Sequence, residues 1–306
     1  ATPATIALCG ILLPDSGHLQ EEQAEYANRH QFSKHKPALP LYTEADGRAC
    51  LHQFEPVMFD RPLGLAGNMS ARFTHAGHLL GAASVRVEAG GRSILFSGDL
   101  GRSCDPLMRA PAAPPVADYV VIESTYGDRA HSPVDPQGEL ERAVHRAVDR
   151  GGVVLIPSFA IGRAQLLMLL IARLEAAGRI PALPVYLDSP MAIDATELLL
   201  RFRAEHRLTD ADVSAIHRLA RAVRTAEQSK ALDRLREPAI IVSASGMATG
   251  GRVVHHLKTF APDARNVILF AGFQAGGTRG AALVAGAQSV RIHGPSIPDE
   301  AEVVQL

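Results

Sequence analysis

Along the chain the apolar positions follow two rhythms, one before about Gly127 and one after it. In the first, short alternating runs are broken by glycine. Ser84 to Val87 alternates outward and inward, Gly90-Gly91 supplies the positive φ angles of a tight hairpin turn, and Ser93 to Ser97 is the return strand. His78 falls in a turn between Gly77 and Leu79, off any periodic face, and Asp99 follows the return strand. Upstream, Thr2 to Leu13 is apolar and reads as a short helix or strand leading into Asp15-Ser16-Gly17-His18, while Gln20 to Arg29 has helical propensity. His30 to Pro40 reads as a basic, solvated loop, Leu41 to Phe59 as a strand and a short helix, and Cys104 to Pro115 as a Pro- and Ala-rich connection.

In the second rhythm, apolar strands alternate with amphipathic helices. Tyr119 to Glu123 is an apolar run ending in a carboxylate. Glu139 to Arg150 is a helix with Leu140, Val144, Ala147 and Val148 on one face, stopped by Gly151-Gly152. Val153 to Pro157, Val185 to Leu187, Ala239 to Ser243, Asn266 to Phe270 and Ser289 to His293 read as strands. Between them, helices are expected over Arg163 to Ala177, Met191 to Glu205, Thr209 to Val223 and Gly251 to Phe260, with Thr209 and Asp212 forming a capping box. Strand–helix alternation implies right-handed crossovers and a mostly parallel sheet. The expected organisation is an α/β unit from residue 127 to 306 and a hairpin-rich unit over residues 1–126.

Composition narrows the class. With 306 residues and 47% hydrophobic content the chain can bury a large core, and a net charge of −1 points to no polyanion through charge alone. Cys9, Cys50 and Cys104 are odd in number and lack CxxC spacing, which suits a reduced cytoplasmic setting and argues against a disulfide frame or a cysteine zinc site. No run reaches the ~18 apolar residues of a membrane span. Aromatic residues are 5% of the chain and tryptophan is absent, so stacking platforms for bases are few.

Candidate chemistry gathers at strand ends, where open α/β sheets collect ligands. His78 and Asp99 offer imidazole nitrogen and carboxylate oxygen, both suited to Zn²⁺, but a pair of ligands is only part of a metal site. Val153 to Pro157 is followed by Ser158 and, further on, Arg163. Ala239 to Val242 is followed by Ser243-Ala244-Ser245-Gly246-Met247-Ala248-Thr249-Gly250-Gly251-Arg252. Small residues there let backbone N–H groups approach an anion, and Arg252 adds a charge at a helix start. The same stretch reads equally as a Gly-rich turn, since no GxxxxGK[ST] accompanies it. Glu123 at a strand end is more often a turn partner than a catalyst. His255 and His256, being adjacent, point different ways and are expected on a helix surface, and Arg218, Arg221 and Arg224 on a solvated helix face.

The stretches ATPAT, ILLPDSGHLQEEQAEYANR, THAGHLLGAAS, ILFSGDLGR, IESTYGDR, IPSFAIGRAQ, LDSPMA, SASGMATGGRVVHHL and FAGFQAGGTRGAAL, in that order, resemble the metallo-β-lactamase-fold nucleases of the β-CASP group. The resemblance implies a partial αββα sandwich with an inserted β-CASP α/β domain. It implies a zinc-dependent ribonuclease acting on single-stranded RNA, without a membrane partner, and it leaves a homodimer open. Residue by residue, it makes His78 and Asp99 metal ligands, with Asp99 bridging two zinc ions, and Glu123 the acidic residue that orients a proton-donating histidine. It places Ser243 to Arg252 in the RNA-facing cleft.

The family's HxHxDH motif, which supplies most metal ligands, does not occur in the chain. Its SAHAD-like and HGE-like segments would follow Leu306. The chain is therefore expected to be a fragment that binds zinc poorly and has negligible activity alone. Competing readings are a non-catalytic RNA-binding scaffold and a small-molecule metallohydrolase such as a lactonase or thioesterase.

Overall fold

The computed structural model describes residues 1–128 and 135–306, so Arg129 of the IESTYGDR stretch lies outside the described residues. The chain divides into two compact units: Ala1–Gly127 with Leu198–Arg207, and Asp128–Glu197 with Leu208–Leu306.

The first unit opens on a helix, α1 (Pro3–His30), where a short element and a break were expected. Thr2 caps it by accepting from the Thr5 N–H, and Pro3 stands where a missing N–H costs nothing. The helix runs through Pro14 and Gly17 without ending. Gly17 is needed by packing: a side chain there would overlap the Thr43 carbonyl, and one on Gly47 would lie 2.5 Å from the Leu13 carbonyl oxygen. These glycines let α2 (Glu44–Cys50) press against α1, with Thr43 and Asp46 forming its capping box. The strand expected within Leu41 to Phe59 is not formed; α2 continues into a 3₁₀ turn, Leu51–Gln53.

A five-stranded sheet follows in the order β1 (Pro62–Leu65), β2 (Met69–His75), β3 (Ala83–Ala89), β4 (Arg92–Phe96) and β5 (Tyr119–Val121). The β3–β4 hairpin pairs Ala89 with Arg92, and Gly90 and Gly91 both take positive φ (54° and 75°), as a primed turn requires. Strand β5 joins β4 in parallel and forms an edge. Its apolar run is exposed: Val121 and Ile122 keep 51% and 66% of their surface accessible.

The second unit is built on a six-stranded, wholly parallel sheet. In chain order its elements are α3 (Pro136–Asp149), β6 (Val153–Pro157), α4 (Arg163–Ala176), β7 (Val185–Asp188), α5 (Pro190–Arg201), α6 (Asp210–Leu219), β8 (Ala220–Ala222), α7 (Ala226–Leu232), β9 (Ala239–Ser243), α8 (Arg252–Phe260), β10 (Val267–Phe270), α9 (Arg279–Val284), β11 (Ser289–Arg291), β12 (Ser296–Pro298) and β13 (Glu302–Gln305). Strand order is β13-β10-β6-β9-β7-β8, with Leu155 beside Ile241 and Ile268. Every residue of β6, β9 and β10 is buried, so these strands read as continuous apolar runs. One core cluster gathers Leu155, Ile241, Ile268, Phe270 and the inner face of α8, Val253, Val254, Leu257 and Phe260.

Several expectations shift. The helix expected to reach Val223 stops at Leu219, because Ala220–Ala222 pairs with Val185–Leu187 as β8. Helix α7, started by a Thr225–Gln228 capping box, was not anticipated. Ser289–Arg291 does form a strand, but in a separate antiparallel pair with β12. Among the described residues no helix is long and apolar enough to cross a membrane.

Candidate functional site

In the first unit the β2–β3 loop and the loop after β4 are laced together. Gly77 (φ 69°) forms an isolated antiparallel bridge with Leu100, and the Gly101 N–H donates to Ala76 O at 2.8 Å. No side chain fits at Gly101, where it would meet the Gly77 carbonyl. His78 and Asp99, one residue beyond Gly77 and one before Leu100, are both exposed on these joined loops.

Glu123 is tied to the same place. Its N–H donates to Ser97 Oγ (3.0 Å), and its carboxylate accepts from the Leu100 N–H (2.7 Å) and the Thr125 N–H (3.3 Å). The Leu100 bond, then the Thr125 bonds and the nearby charge of His78, hold its carboxyl below the usual glutamate range. An ionised, hydrogen-bonded carboxylate is a rigid acceptor suited to orienting a neighbouring group. It also acts as the turn partner that its strand-end position suggested.

A zinc ion finds part of a donor set here. One imidazole and one carboxylate suit it chemically, but a catalytic zinc takes three protein ligands and keeps one open position. Among the described residues the trio of donors close enough to share an ion lies elsewhere, at His18, Glu21 and Glu44. Those groups already have protein partners: Glu21 accepts from the Glu44 N–H, Glu44 pairs with Arg48, and His18 lies 3.4 Å from Glu22.

In the second unit, loops leave the carboxyl ends of β6, β7, β9 and β10 at one end of the sheet. Ser158 is buried; its N–H donates to Ser243 O at 2.9 Å. Ser243, also buried, donates its hydroxyl to Asp188 O at 3.2 Å. Ser245 accepts from the Thr249 N–H at 3.3 Å. Gly246 lies so close to Phe159 that a side chain would come within 2.9 Å of its ring, and Gly251 takes φ 72° against Ala244 O. Gly250 faces open space. The Arg163 guanidinium lies near Gly272, 3.7 Å from where a side chain there would begin.

Arg252 departs from its expected part. Its guanidinium turns inward, to Asp188 Oδ1 (2.7 Å), Val223 O (3.0 Å) and Arg224 O (2.7 Å). With its charge met by a buried carboxylate, it braces the loop more than it offers an anion a cation. Arg279 holds the opposite flank, donating to Ala248 O and Thr249 O at 3.0 Å. Nothing in local spacing pointed to Arg279.

His256 is the larger surprise. Far from a helix surface, it is fully buried between Asp188 (2.7 Å) and Asp233 (2.7 Å), and Ser229 also donates to Asp188. Burial disfavours the imidazolium, but the two carboxylates prevail and raise its pKa to about 9. For Asp188 burial likewise acts upward, and bonds from His256, Ser229 and Arg252 outweigh it, holding the carboxyl below its ordinary range. The signal was present: His256 falls three residues after Val253 and four before Phe260, on the buried stripe of α8. His255 stays exposed. Arg221 and Arg224 lie beyond α6, Arg221 over the Tyr186 ring and Arg224 paired with Asp194 and Glu197.

A mixed sheet joined to a wholly parallel one is consistent with a β-CASP insertion in a metallo-β-lactamase fold, and residues 164–283 match the Beta-Casp domain. The chain belongs to the β-CASP family. It is 35% identical over its full length to Ribonuclease TTHA0252 of Thermus thermophilus, covering 68% of that protein. It is 32% identical to an RNase J-like protein of Methanocaldococcus jannaschii over 87% of this chain and 63% of the relative. Identity to Endoribonuclease YSH1 of Mycosarcoma maydis is 31%, over 78% of this chain and 28% of the relative.

Proposed function

We propose that the complete protein is a zinc-dependent ribonuclease that hydrolyses phosphodiester bonds of single-stranded RNA. The observation that carries this reading is the joining of His78, Asp99 and Glu123 through the Gly77–Leu100 bridge and the Leu100–Glu123 hydrogen bond. The ribonuclease names of the relatives support RNA as the substrate. His78 and Asp99 each supply one metal ligand, and the remaining ligands come from outside this donor pair. When bound, a zinc pair supplies an activated water and charge stabilisation at the phosphate. Glu123 orients a neighbouring proton-carrying group. Arg163, Ser245, Gly250 and Gly251 present the backbone-facing surface, with buried Ser158, Ser243 and Gly246 packed beneath it and Arg252 holding it in shape. Phosphate contacts of this kind position RNA without reading its sequence.

The test is metal content and cleavage of a labelled single-stranded RNA by the full-length protein. Substituting His78→Ala or Asp99→Ala is expected to lower bound zinc and abolish cleavage. Glu123→Gln is expected to keep zinc while slowing cleavage on the order of 100-fold. The 306-residue chain alone is expected to retain little zinc and to cleave negligibly. Full-length H78A and D99A proteins that keep wild-type zinc and activity would sink the reading.

A further inference from the structure

Among the described residues of the second unit, Phe159 and Phe273 are the large hydrophobic side chains left exposed, at 48% and 42% of their surface. Elsewhere among its described residues that unit buries or half-buries such groups. An exposed phenylalanine forfeits the favourable burial of its ring. Two at the same end of one sheet are informative in a chain with 5% aromatic residues.

Their placement is specific. Strands β6 and β10 are neighbours, with Leu155 beside Ile268. Phe159 follows β6 and Phe273 follows β10, so both rings leave the carboxyl end of adjacent parallel strands. One side of the Phe159 ring rests on Gly246, where a side chain would begin only 2.9 Å from it. The Gly246 carbonyl in turn accepts from Gln274 Nε2 (3.1 Å), next to Phe273. The Arg163 guanidinium lies beside Gly272, the residue before Phe273. Ring, glycine floor and cation thus meet in one patch.

We propose that Phe159 and Phe273 form a stacking platform for the unpaired bases of single-stranded RNA, with Arg163 serving the adjoining phosphate. Every base offers a π-face, so such a platform grips RNA without selecting sequence, and a duplex, with its bases already stacked, cannot use it. The proposal rests on the RNA reading above and adds to it the part of the nucleotide that this end of the sheet holds.

Because the chain has no tryptophan, Phe159→Trp and Phe273→Trp each introduce a single emitter beside the patch. A twelve-residue oligouridylate is expected to quench both. An abasic oligomer of the same length is expected to quench neither and to bind more weakly. In fluorescence anisotropy with labelled oligouridylate, Phe159→Ala is expected to weaken binding about tenfold, with Phe159→Tyr restoring it. Circular dichroism shows that each variant is folded. Equal affinity of wild type and folded F159A/F273A for oligouridylate, or equal binding of the abasic oligomer, would overturn the platform while leaving RNA binding intact. Failure of wild type to bind any oligomer would remove the RNA reading and the platform with it.

Discussion

At the scale of single residues, the buried Asp188–His256–Asp233 group has a definite pH signature. His256 carries a pKa raised from 6.5 to about 9, so its stabilising protonation is complete below about 6.5 and is lost as pH rises through about 9. A shift of that size corresponds to about 3 kcal/mol. Asp188 works in the opposite sense: its carboxyl is held low, so its contribution is present above the ordinary carboxylate range and fades as pH falls through its lowered pKa. Urea unfolding followed from pH 6 to pH 10 should show stability falling between about pH 6.5 and pH 9 and levelling off above that. His256→Gln should be less stable by about 3–5 kcal/mol at pH 7 and should flatten that fall. Unchanged stability in the variant would show that the pair contributes nothing net. A second contrast lies within α1. Gly10→Ala meets no neighbour and should stabilise by about 0.5–1 kcal/mol, whereas Gly17→Ala must displace the Thr43 backbone and should destabilise. Thermal melting of the two variants side by side distinguishes a helix that tolerates any glycine replacement from one fitted against α2.

At the scale of elements, the local grammar of the chain was legible wherever an element is decided by its own residues. Val153–Pro157 and Ala239–Ser243 are apolar throughout because they are covered on both faces, and they were read accordingly. Gly90-Gly91 announced its hairpin, because only residues free to take positive φ make that turn. Gly91→Val should therefore cost about 1–2 kcal/mol, while Gly90→Asn should be nearly neutral; chemical denaturation of both variants checks this. What escaped the sequence was decided by partners far away in the chain. Ala220–Ala222 is a strand because Val185–Leu187 offers it a ladder, not because alanine and arginine favour extension. The glycine inside α1, Gly17, is required by the backbone of α2's start, Thr43 and Glu44, far along the chain. For the candidate site, the strand-end positions of His78, Asp99 and Glu123 were visible, but the hydrogen bond joining Glu123 to the Asp99 loop was not. His256 lies on the buried stripe of α8, a position that its adjacency to the exposed His255 masks in the sequence.

At the scale of the whole chain, the edge of the first unit's sheet is the exposed hazard. Tyr119, Val120, Val121 and Ile122 combine accessible apolar side chains with a backbone that, among the described residues, has a strand partner on one side alone. Such an edge pairs readily with another copy. The 306-residue chain is expected to self-associate with rising concentration, and Val121→Lys to suppress this. Analytical ultracentrifugation over a tenfold or greater concentration range checks it, and identical profiles for both proteins would exclude β5 as the contact.

Arg279 grips the Ser243–Gly251 loop by the carbonyl oxygens of Ala248 and Thr249, and Arg252, at the loop's end, ties it to the Asp188 carboxylate and to the carbonyl oxygens of Val223 and Arg224. Every amino acid carries that same oxygen. The exposed Thr249 side chain is therefore free to drift over generations while its support is inherited intact, whereas Gly246, buried Ala248 and Gly251 are held by the space around them. A lineage could alter what this loop presents to a ligand, residue by residue, without first having to rebuild its supports.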